Sequence, residues 1–364
     1  GVVLGFPIMK ENLFNFETLS VLSFISKIGI ILLFFFVGLE INLKQFKKNF
    51  RESSLIAIFN TLIPLVGGYL VSRYLFTFNK VTSLVVGISL AVSSQAISLD
   101  ILEELKLLKS KIGSLILSAG TVDDVFELLL ISSILVVFDS IALGQFNISA
   151  MALYIVIFIF IVVVFRLSLI PFALRVFERE KSQANLFMGA LIIVLSMAFL
   201  SELFGIGSMI GALIAGILVR HTLLTGENRK PWRMNEISHS IHIVSFGFLI
   251  PLFFVNVGIN TDLSEIPSNL SLVIVLFLVG VLGTIAGTVI GVVLSKGSLN
   301  EGFLVGWGVI PKGDIELVIA TLALNNGLIS TSVFTAIIAV AMLSTFIGPI
   351  VFKFLIRRNY EKIA

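Results

Sequence analysis

Residues 112–138 read IGSLILSAGTVDDVFELLLISSILVVF, an apolar stretch in which Asp123 and Asp124 stand side by side. A stretch of this length crosses a hydrocarbon core of about 30 Å, and both acids fall near its middle at ~1.5 Å per residue. A charge at that depth costs at least about 2.5–3.5 kcal/mol, so it needs a partner or a function. Two adjacent carboxylates repel, and a hard cation with oxygen ligands relieves this repulsion as it displaces protons. The pattern predicts a site for either protons or a cation; a structural ion pair or a water-facing helix end is the alternative.

The composition of the whole chain places this stretch among many others like it. Of 364 residues, 57% are hydrophobic and 13% are charged, and the mean hydropathy is +1.09. A soluble domain carries about 25% charged residues, so the chain is predicted to be a multi-pass membrane protein. Residues 1–9 resemble the end of a span that begins before this sequence. Eleven further spans are predicted, near 22–42, 54–75, 82–103, 112–138, 150–170, 184–202, 204–219, 240–257, 270–295, 302–325 and 332–355.

The basic residues predict the orientation of these spans. Most of the 25 Lys and Arg residues fall in loops after alternate spans, as at 44–51 and 353–362. Because cytoplasmic loops retain positive charge, these loops and the C-terminus are expected on the cytoplasmic side of the plasma membrane. The net charge of +3 then reports topology and gives no indication of nucleic-acid binding. The absence of cysteine excludes disulfides and thiolate metal sites.

Two short segments reveal an internal repeat. VGLEINL at 37–43 returns as VGINTDL at 257–263, an offset of 220 residues. The first copy enters a basic loop and the second a loop without Lys or Arg, so the two run in opposite directions and indicate an inverted-topology repeat. The same offset places the polar run SSQAIS at 93–98 opposite 313–318, beside Pro311-Lys312-Gly313. Proline removes a helix donor and glycine weakens a helix, so both spans are predicted to be broken.

The repeat is not symmetric in its chemistry, because the offset maps Asp123 and Asp124 onto Leu343 and Ser344.

Oxygen-bearing side chains near the first break and the acid pair are candidate supporting ligands. Polar side chains inside membrane helices also bridge neighbouring helices, which is the alternative for each. These candidates are Ser94, Gln95, Ser98 and Thr121.

Four further charged positions are candidate site residues: Glu127, Lys312, Asp314 and Glu316. Glu127 follows Asp123 by four residues on the same helical face, where it either extends the site or pairs with a lysine. Lys312 is the basic residue at predicted membrane depth, two residues before Asp314 and four before Glu316. An internal ion pair with one of these acids is expected for Lys312 ahead of direct ion handling.

The acid pair, GLEINL at 38–43 and PKGDIELVIA at 311–320 together resemble the monovalent cation:proton antiporter-2 family. The resemblance implies an all-α fold with two crossed discontinuous helices, a separate dimerisation domain and elevator-like alternating access. By this likeness Asp124 is the main carrier of cation and proton, and Asp123 is its partner. The implied core halves are 43–138 and 258–364, and the dimerisation side comprises 1–42 and 139–257.

The sequence departs from that family at three points. Many Asp-Asp members carry a lysine that pairs with the first aspartate, and here Thr284 stands at its position. Lys312 and Asp314 stand where the family commonly has Arg and Glu. The family usually has more chain before the start of this sequence, and the nucleotide-binding domain of its potassium-efflux members is not found here.

These observations together predict a secondary transporter that exchanges Na⁺ for H⁺, with Li⁺ or K⁺ as alternative cargos. An ion-responsive channel or sensor of the same fold is the alternative class, and Thr284 favours it mildly. An organic-solute symporter would need more aromatic and amide groups at the breaks than this sequence has. An enzyme is not indicated either, because no nucleophile–base pair stands out in the sequence. The expected partners are the two ions, the lipid bilayer and a second copy of the chain; no cofactor is expected.

Overall fold

The computed structural model of the protein describes residues 1, 3–5, 13–40, 50–120, 122–123, 126–127, 148–172, 183–204, 206–224, 231–262 and 264–360. Within these ranges the regular structure is helical and there is no β-strand. The described part includes seven helices that are long and apolar enough to cross a membrane: Glu17–Glu40, Arg51–Leu75, Lys80–Glu104, Ala184–Leu203, Glu236–Ile259, Leu270–Leu294 and Thr331–Arg358. Shorter apolar helices cover Lys111–Gly120, Val156–Phe172, Ser208–Leu224 and Ile315–Asn325. The all-α, multi-pass fold class is confirmed.

The helices are numbered here in chain order. Their bounds are α1 Phe16–Glu40, α2 Phe50–Leu70, α3 Lys80–Ala91, α4 Ala96–Glu104, α5 Lys111–Gly120, α6 Ile148–Val164, α7 Gln183–Leu203, α8 Ser208–Leu224, α9 Pro231–Val244, α10 Ile250–Ile259, α11 Glu265–Ser268, α12 Leu270–Leu294, α13 Leu299–Gly308, α14 Asp314–Asn325 and α15 Thr331–Arg358. Five-residue π-helical turns continue α2 (Val71–Leu75) and α6 (Phe165–Leu169) and join α9 to α10 (Ser245–Leu249). Beyond α5, residues 122–123 and 126–127 are also helical.

The chain divides into two compact units. The first unit comprises Val3–Ile41 and Ser132–Ile259, and the second comprises Asn42–Ile131 and Asn260–Ala364. Each unit is therefore assembled from two segments that are distant in sequence.

Glycines allow close helix packing in the first unit. Here α1 packs against α8, and a Cβ atom added at Gly38 would lie 2.3 Å from the carbonyl oxygen of Leu213. A Cβ atom at Gly216 would lie 2.2 Å from the carbonyl oxygen of Phe35. Helices in lipid gain much of their association energy from such close backbone contact, so small residues fix this interface.

The second unit uses the same device between α2 and α12. Gly283, Gly287 and Gly291 recur on α12 at near-helical spacing. A Cβ atom at Gly287 would lie 2.2 Å from the carbonyl oxygen of Phe59, and one at Gly291 would lie 2.5 Å from the Cα atom of Ile56. The spacing brings one glycine face of α12 onto the middle of α2, and it fixes the position of the polar residues that follow Phe59.

The second unit also contains both discontinuous helices. The first break separates α3 from α4 at residues 92–95, and the second separates α13 from α14 at residues 309–313. The backbone N–H of Ser94 donates a hydrogen bond to the carbonyl oxygen of Pro311 over 2.8 Å. The two breaks thus meet directly, and each satisfies a backbone group that lipid could not satisfy.

Each break lies at or beside the residues that were predicted to interrupt the helix. The backbone of Val92 is extended (φ −64°, ψ 136°) and ends α3, and an extended Gly313 (φ −100°, ψ −169°) precedes α14. The breaks predicted from 93–98 and from Pro311–Asp314 are present at shifted bounds. The first is shorter than expected, because the helical residues resume at Ala96 and include Ser98.

Candidate functional site

Asp123 lies at the centre of a polar cluster inside the second unit. Its carboxyl group is buried, with 2% of the residue exposed. The Thr61 hydroxyl donates to its Oδ1 over 2.7 Å, and the Asn60 amide and Ser93 hydroxyl donate to its Oδ2 over 2.8 and 2.6 Å. Hydrogen bonds to the ionised form stabilise a buried carboxylate. Three neutral donors therefore stabilise the Asp123 carboxylate, as a basic side chain beside it would.

Two of these donors are delivered by α2. Asn60 and Thr61 are adjacent and buried in the middle of this apolar helix. The Thr61 hydroxyl also lies 2.8 Å from the carbonyl oxygen of Ala57, one turn earlier. Gly287 of α12 packs against Phe59 and the Cα atom of Asn60, so the glycine face of α12 holds these two donors toward Asp123.

Glu127, four residues after Asp123, also joins the cluster. It is buried, and its Oε1 accepts the backbone N–H of Ser93 over 2.6 Å. Its side chain also interacts with that of Asp123. Two ionised carboxyl groups that interact at close range repel each other, and one proton on the pair relieves this repulsion. The described part of the site therefore combines an oxygen-rich cage with a place to hold a proton.

Lys312 enters the same region from the second break. The residue is 6% exposed, and its ammonium donates to the carbonyl oxygens of Leu90, over 2.6 Å, and Val92. These carbonyls belong to the end of α3, where the helix no longer supplies N–H donors. The ammonium also interacts electrostatically with Glu316, Glu127 and Asp123. Within the described side chains the ammonium contacts backbone carbonyls, and an ion pair of Lys312 with Asp314 or Glu316 stays a prediction.

Glu316 is the second buried acid of this region. It is 0% exposed on the first turns of α14, and neither carboxyl oxygen has a hydrogen-bond partner within the described residues. Among the described residues, Lys312 acts on it electrostatically. The side chain of Asp314, the first residue of α14, lies outside the described part of the structure.

The remaining predicted residues occupy different places. Ser94 contributes its backbone N–H to the crossing of the breaks, and Gln95 lies against Gly120, where an added Cβ would be 2.3 Å from its Cδ atom. Ser98 is buried within α4. Thr284 is buried on α12, and its carbonyl oxygen accepts the Thr288 hydroxyl. Asp124 and Thr121 lie outside the described residues.

Three residues of the cluster were not predicted from the sequence: Asn60, Thr61 and Ser93. A signal for Asn60 existed, because an amide in the middle of an apolar span needs a partner. The repeat gave no support for it, since the offset of 220 maps Asn60 and Thr61 onto Gly280 and Val281. Within the described residues no group of three or more His, Cys, Asp or Glu side chains is arranged to hold a resident metal ion.

The fold and this site define a membrane transporter with a buried ionisable centre at two crossed helix breaks. The model of the family described as "Sodium/hydrogen exchanger, transmembrane" matches residues 1–358. The chain belongs to this family of transmembrane sodium/hydrogen exchangers, whose members are transporters.

Individual relatives agree with this assignment. The chain is 30% identical over 338 residues to the Na⁺/H⁺ antiporter of Enterococcus hirae, covering 92% of this chain and 85% of the relative. It is 28% identical over 354 residues to the Na⁺/H⁺-K⁺ antiporter GerN of Bacillus cereus, covering 97% and 87%. Among solved structures, the sodium proton antiporter MjNhaP1 of Methanocaldococcus jannaschii matches with a TM-score of 0.66 and 14% identity, over 99% of this chain and 89% of that one. This last likeness shows the fold alone, and it confirms the predicted antiporter architecture.

Proposed function

We propose that this protein exchanges Na⁺ for H⁺ across the plasma membrane at a site formed by Asp123 and Asp124. The observation that carries the proposal is the Asp123 cage, a buried carboxyl surrounded by Asn60, Thr61 and Ser93. In this proposal Asp124 is the main carrier and Asp123 its partner, as the family resemblance implies. Asn60, Thr61 and Ser93 donate hydrogen bonds to the Asp123 carboxylate when the cation is absent. When the cation enters, the side-chain oxygens of these three residues bind it.

The chemistry of the cage suits a hard monovalent cation. Its oxygens come from a carboxylate, two hydroxyls and an amide, which are ligands that hard cations prefer. The amide oxygen of Asn60 is buried and has no hydrogen-bond partner within the described residues. A buried acceptor without a donor is uncommon in folded proteins, and a bound cation beside Asp123 would satisfy it. This feature supports cation binding.

A proton and a cation exclude each other in such a site. Binding Na⁺ adds one positive charge at a depth where charge is expensive, and this favours loss of a proton from the acids of the site. Returning the proton removes the charge that holds the cation. Coupled exchange follows, because neither ion is released without the other being taken up.

Alternating access is the second part of the proposal. Discontinuous helices at equivalent places of two inverted halves are typical of transporters that expose one central site to each side in turn. The site lies entirely in the second compact unit, whose segments 42–131 and 260–364 are near the proposed core halves 43–138 and 258–364. We propose that this unit carries the ions and that the first unit forms the contact between two copies of the chain.

The orientation follows from the distribution of basic residues. We propose that the loop at 44–51 and the C-terminus face the cytoplasm, because cytoplasmic loops retain Lys and Arg. K⁺ is the alternative cargo, supported by the name of the GerN relative.

The experiment uses everted membrane vesicles with an acidified interior and a fluorescent proton-gradient probe. Addition of NaCl should dissipate the gradient in vesicles with the wild-type protein and leave it intact with Asp123→Asn or Asp124→Asn. Glu301→Gln is the matched control, because it makes the same chemical change in a partly exposed pair with Lys111. A response to KCl alone would reassign the cargo, and full activity of both aspartate variants would overturn the proposed site.

A further inference from the structure

The Lys312 ammonium has no role in the exchange proposed above. The ammonium binds the carbonyl oxygens of Leu90 and Val92, on either side of Ala91, where α3 ends. Carbonyl groups at the C-terminal end of a half-helix carry partial negative charge, because no following turn supplies N–H donors. Transported cations in other secondary transporters use such freed carbonyls as ligands. Lys312 therefore occupies oxygens that suit the cargo.

The site also contains an acid to which this ammonium could move. Glu316 is fully buried, and its two carboxyl oxygens have no hydrogen-bond partner within the described residues. It follows Lys312 by four residues, and among the described residues Lys312 acts on it electrostatically. The lysine stem has four rotatable carbons, so its ammonium can change partners while the backbone at the break stays in place.

The backbone of Lys312 is indeed held in position independently of its side chain. The Thr345 hydroxyl of α15 donates to the carbonyl oxygen of Lys312 over 2.8 Å, and the neighbouring Pro311 accepts the N–H of Ser94. A fixed backbone with a flexible charged side chain restricts the ammonium to nearby partners, which among the described residues are the α3 carbonyls and the buried acids.

We propose that Lys312 is a tethered ammonium that competes with the cargo cation for the carbonyl oxygens of Leu90 and Val92, and that Glu316 receives it when the cation binds. Lys312 and Glu316 are positioning residues in this inference, which rests on the proposed function. When the cation binds the carbonyls, the ammonium leaves them and pairs with the Glu316 carboxylate. When the cation leaves, the ammonium returns and keeps the carbonyls satisfied.

A purely structural role makes a different prediction. If Lys312 capped α3 permanently, its removal would lower stability and the amount of active protein, with no change in the apparent affinity for the cation. Competition instead predicts opposite shifts of KM in two variants. Lys312→Met removes the competitor and lowers the KM for Na⁺, and it also lowers kcat because release of the cation is slowed. Glu316→Gln removes the destination, so the ammonium stays on the carbonyls and the KM rises.

The test is Na⁺-dependent proton movement in proteoliposomes, with KM and kcat measured separately for each purified variant. We expect KM to fall at least about five-fold in Lys312→Met and to rise at least about five-fold in Glu316→Gln, the lower range of typical coupling between sites. Lys312→Arg should raise KM, because a guanidinium binds two carbonyls in a fixed geometry and leaves them less readily. Glu301→Gln is the control for an acid-to-amide change away from the site.

The outcomes separate the inference from the proposed function. If Lys312→Met fails to fold, as judged by gel filtration in detergent, the near-isosteric Glu316→Gln decides alone: a raised KM supports the inference. An unchanged or lowered KM in Glu316→Gln, with wild-type exchange intact, overturns the inference only. A wild-type protein that moves no protons in response to Na⁺ or K⁺ overturns the proposed function itself.

Discussion

The two halves of the inverted repeat place different side chains at equivalent positions of a related backbone. In the first half, Asp123 accepts three hydrogen bonds beside the first break. The equivalents of Asp123 and Asp124 in the second half are Leu343 and Ser344, and among the described residues the Ser344 hydroxyl donates to the carbonyl oxygen of Ala341 on its own helix. The following residue, Thr345, donates to the carbonyl oxygen of Lys312 at the second break. At these equivalent positions the first half thus presents a carboxyl group to the centre, while the second half supports the break.

This comparison shows how a symmetric fold produces a single site. Two crossed breaks free backbone groups from both halves, and inversion places them at one depth. If both halves carried acid pairs, four carboxylates would repel at the same place. Among the described side chains, the second half instead contributes Lys312 and Glu316, so the charges of the two halves complement each other.

Neutralising Asp123 of the first half should have the largest effect on transport. Asp123→Asn should reduce exchange by at least about 100-fold, because a cation without its charged ligand at this depth is destabilised by several kcal/mol and each ~1.4 kcal/mol is tenfold. Ser344→Ala, at the position of the second half that is equivalent to Asp124, should retain activity near that of the wild-type protein. Rates in proteoliposomes measure both, and equal losses in the two variants would contradict the asymmetry.

The glycine contact between the halves gives the next largest effect. Gly287→Ala should lower the free energy of unfolding by about 1–3 kcal/mol, because its Cβ atom would lie 2.2 Å from the carbonyl oxygen of Phe59. Gly280→Ala on the same helix is the control, since its Cβ atom would lie 3.5 Å from Leu90. Both substitutions favour the helix equally, so the difference in melting temperature isolates the packing. Equal melting temperatures would argue against a fixed α2–α12 contact.

Removing one neutral donor from the cage should have an intermediate effect. Thr61→Val keeps the shape of the side chain and removes its hydroxyl, and a hydrogen bond to a charged group contributes about 1.5 kcal/mol at the low end. We expect KM for the cation to rise about tenfold with modest change in protein yield. An unchanged KM would mean that the Thr61 hydroxyl stabilises the helix, through Ala57, and takes no part in binding.

The smallest expected effect concerns the support of the second break. Thr345→Val removes the hydrogen bond to the Lys312 carbonyl, which should lower the free energy of unfolding by about 1 kcal/mol and reduce kcat by less than about fivefold. Thermal unfolding in detergent and initial transport rates measure the two quantities. Substitution of Thr331, which is exposed at the start of α15, should change neither. A loss as large as that of Asp123→Asn would show that the second half handles ions directly.

Much of the fold was predictable because it depends on local signals. Pro311, Lys312 and Gly313 interrupt an apolar stretch, and the offset of 220 pointed to the matching interruption near Ser93. The bounds of the first break were less predictable: Ala96 resumes the helix, so Ser98 lies within α4. Polar composition identifies a break, whereas its length depends on how the second break packs against it.

The details of the site required the three-dimensional arrangement. Ser93 was within the predicted polar run, but the sequence did not show which serine of this run contacts Asp123. The extended backbone at Val92 determines this, because successive side chains of an extended segment point to opposite faces. Asn60 and Thr61 depend on the packing of α2 against α12, which no periodicity in α2 reveals. The carbonyl contacts of Lys312 depend on a crossing between residues more than 200 positions apart.

The most direct test of the central claim is proton release from the purified protein on addition of a cation. In weakly buffered detergent solution, NaCl should release protons with a saturable dependence on concentration, and choline chloride at equal ionic strength should release none. The account predicts that Asp123→Asn abolishes this release while Ser344→Ala leaves it unchanged. Absence of cation-dependent release from the wild-type protein, or an undiminished release from Asp123→Asn, would contradict it.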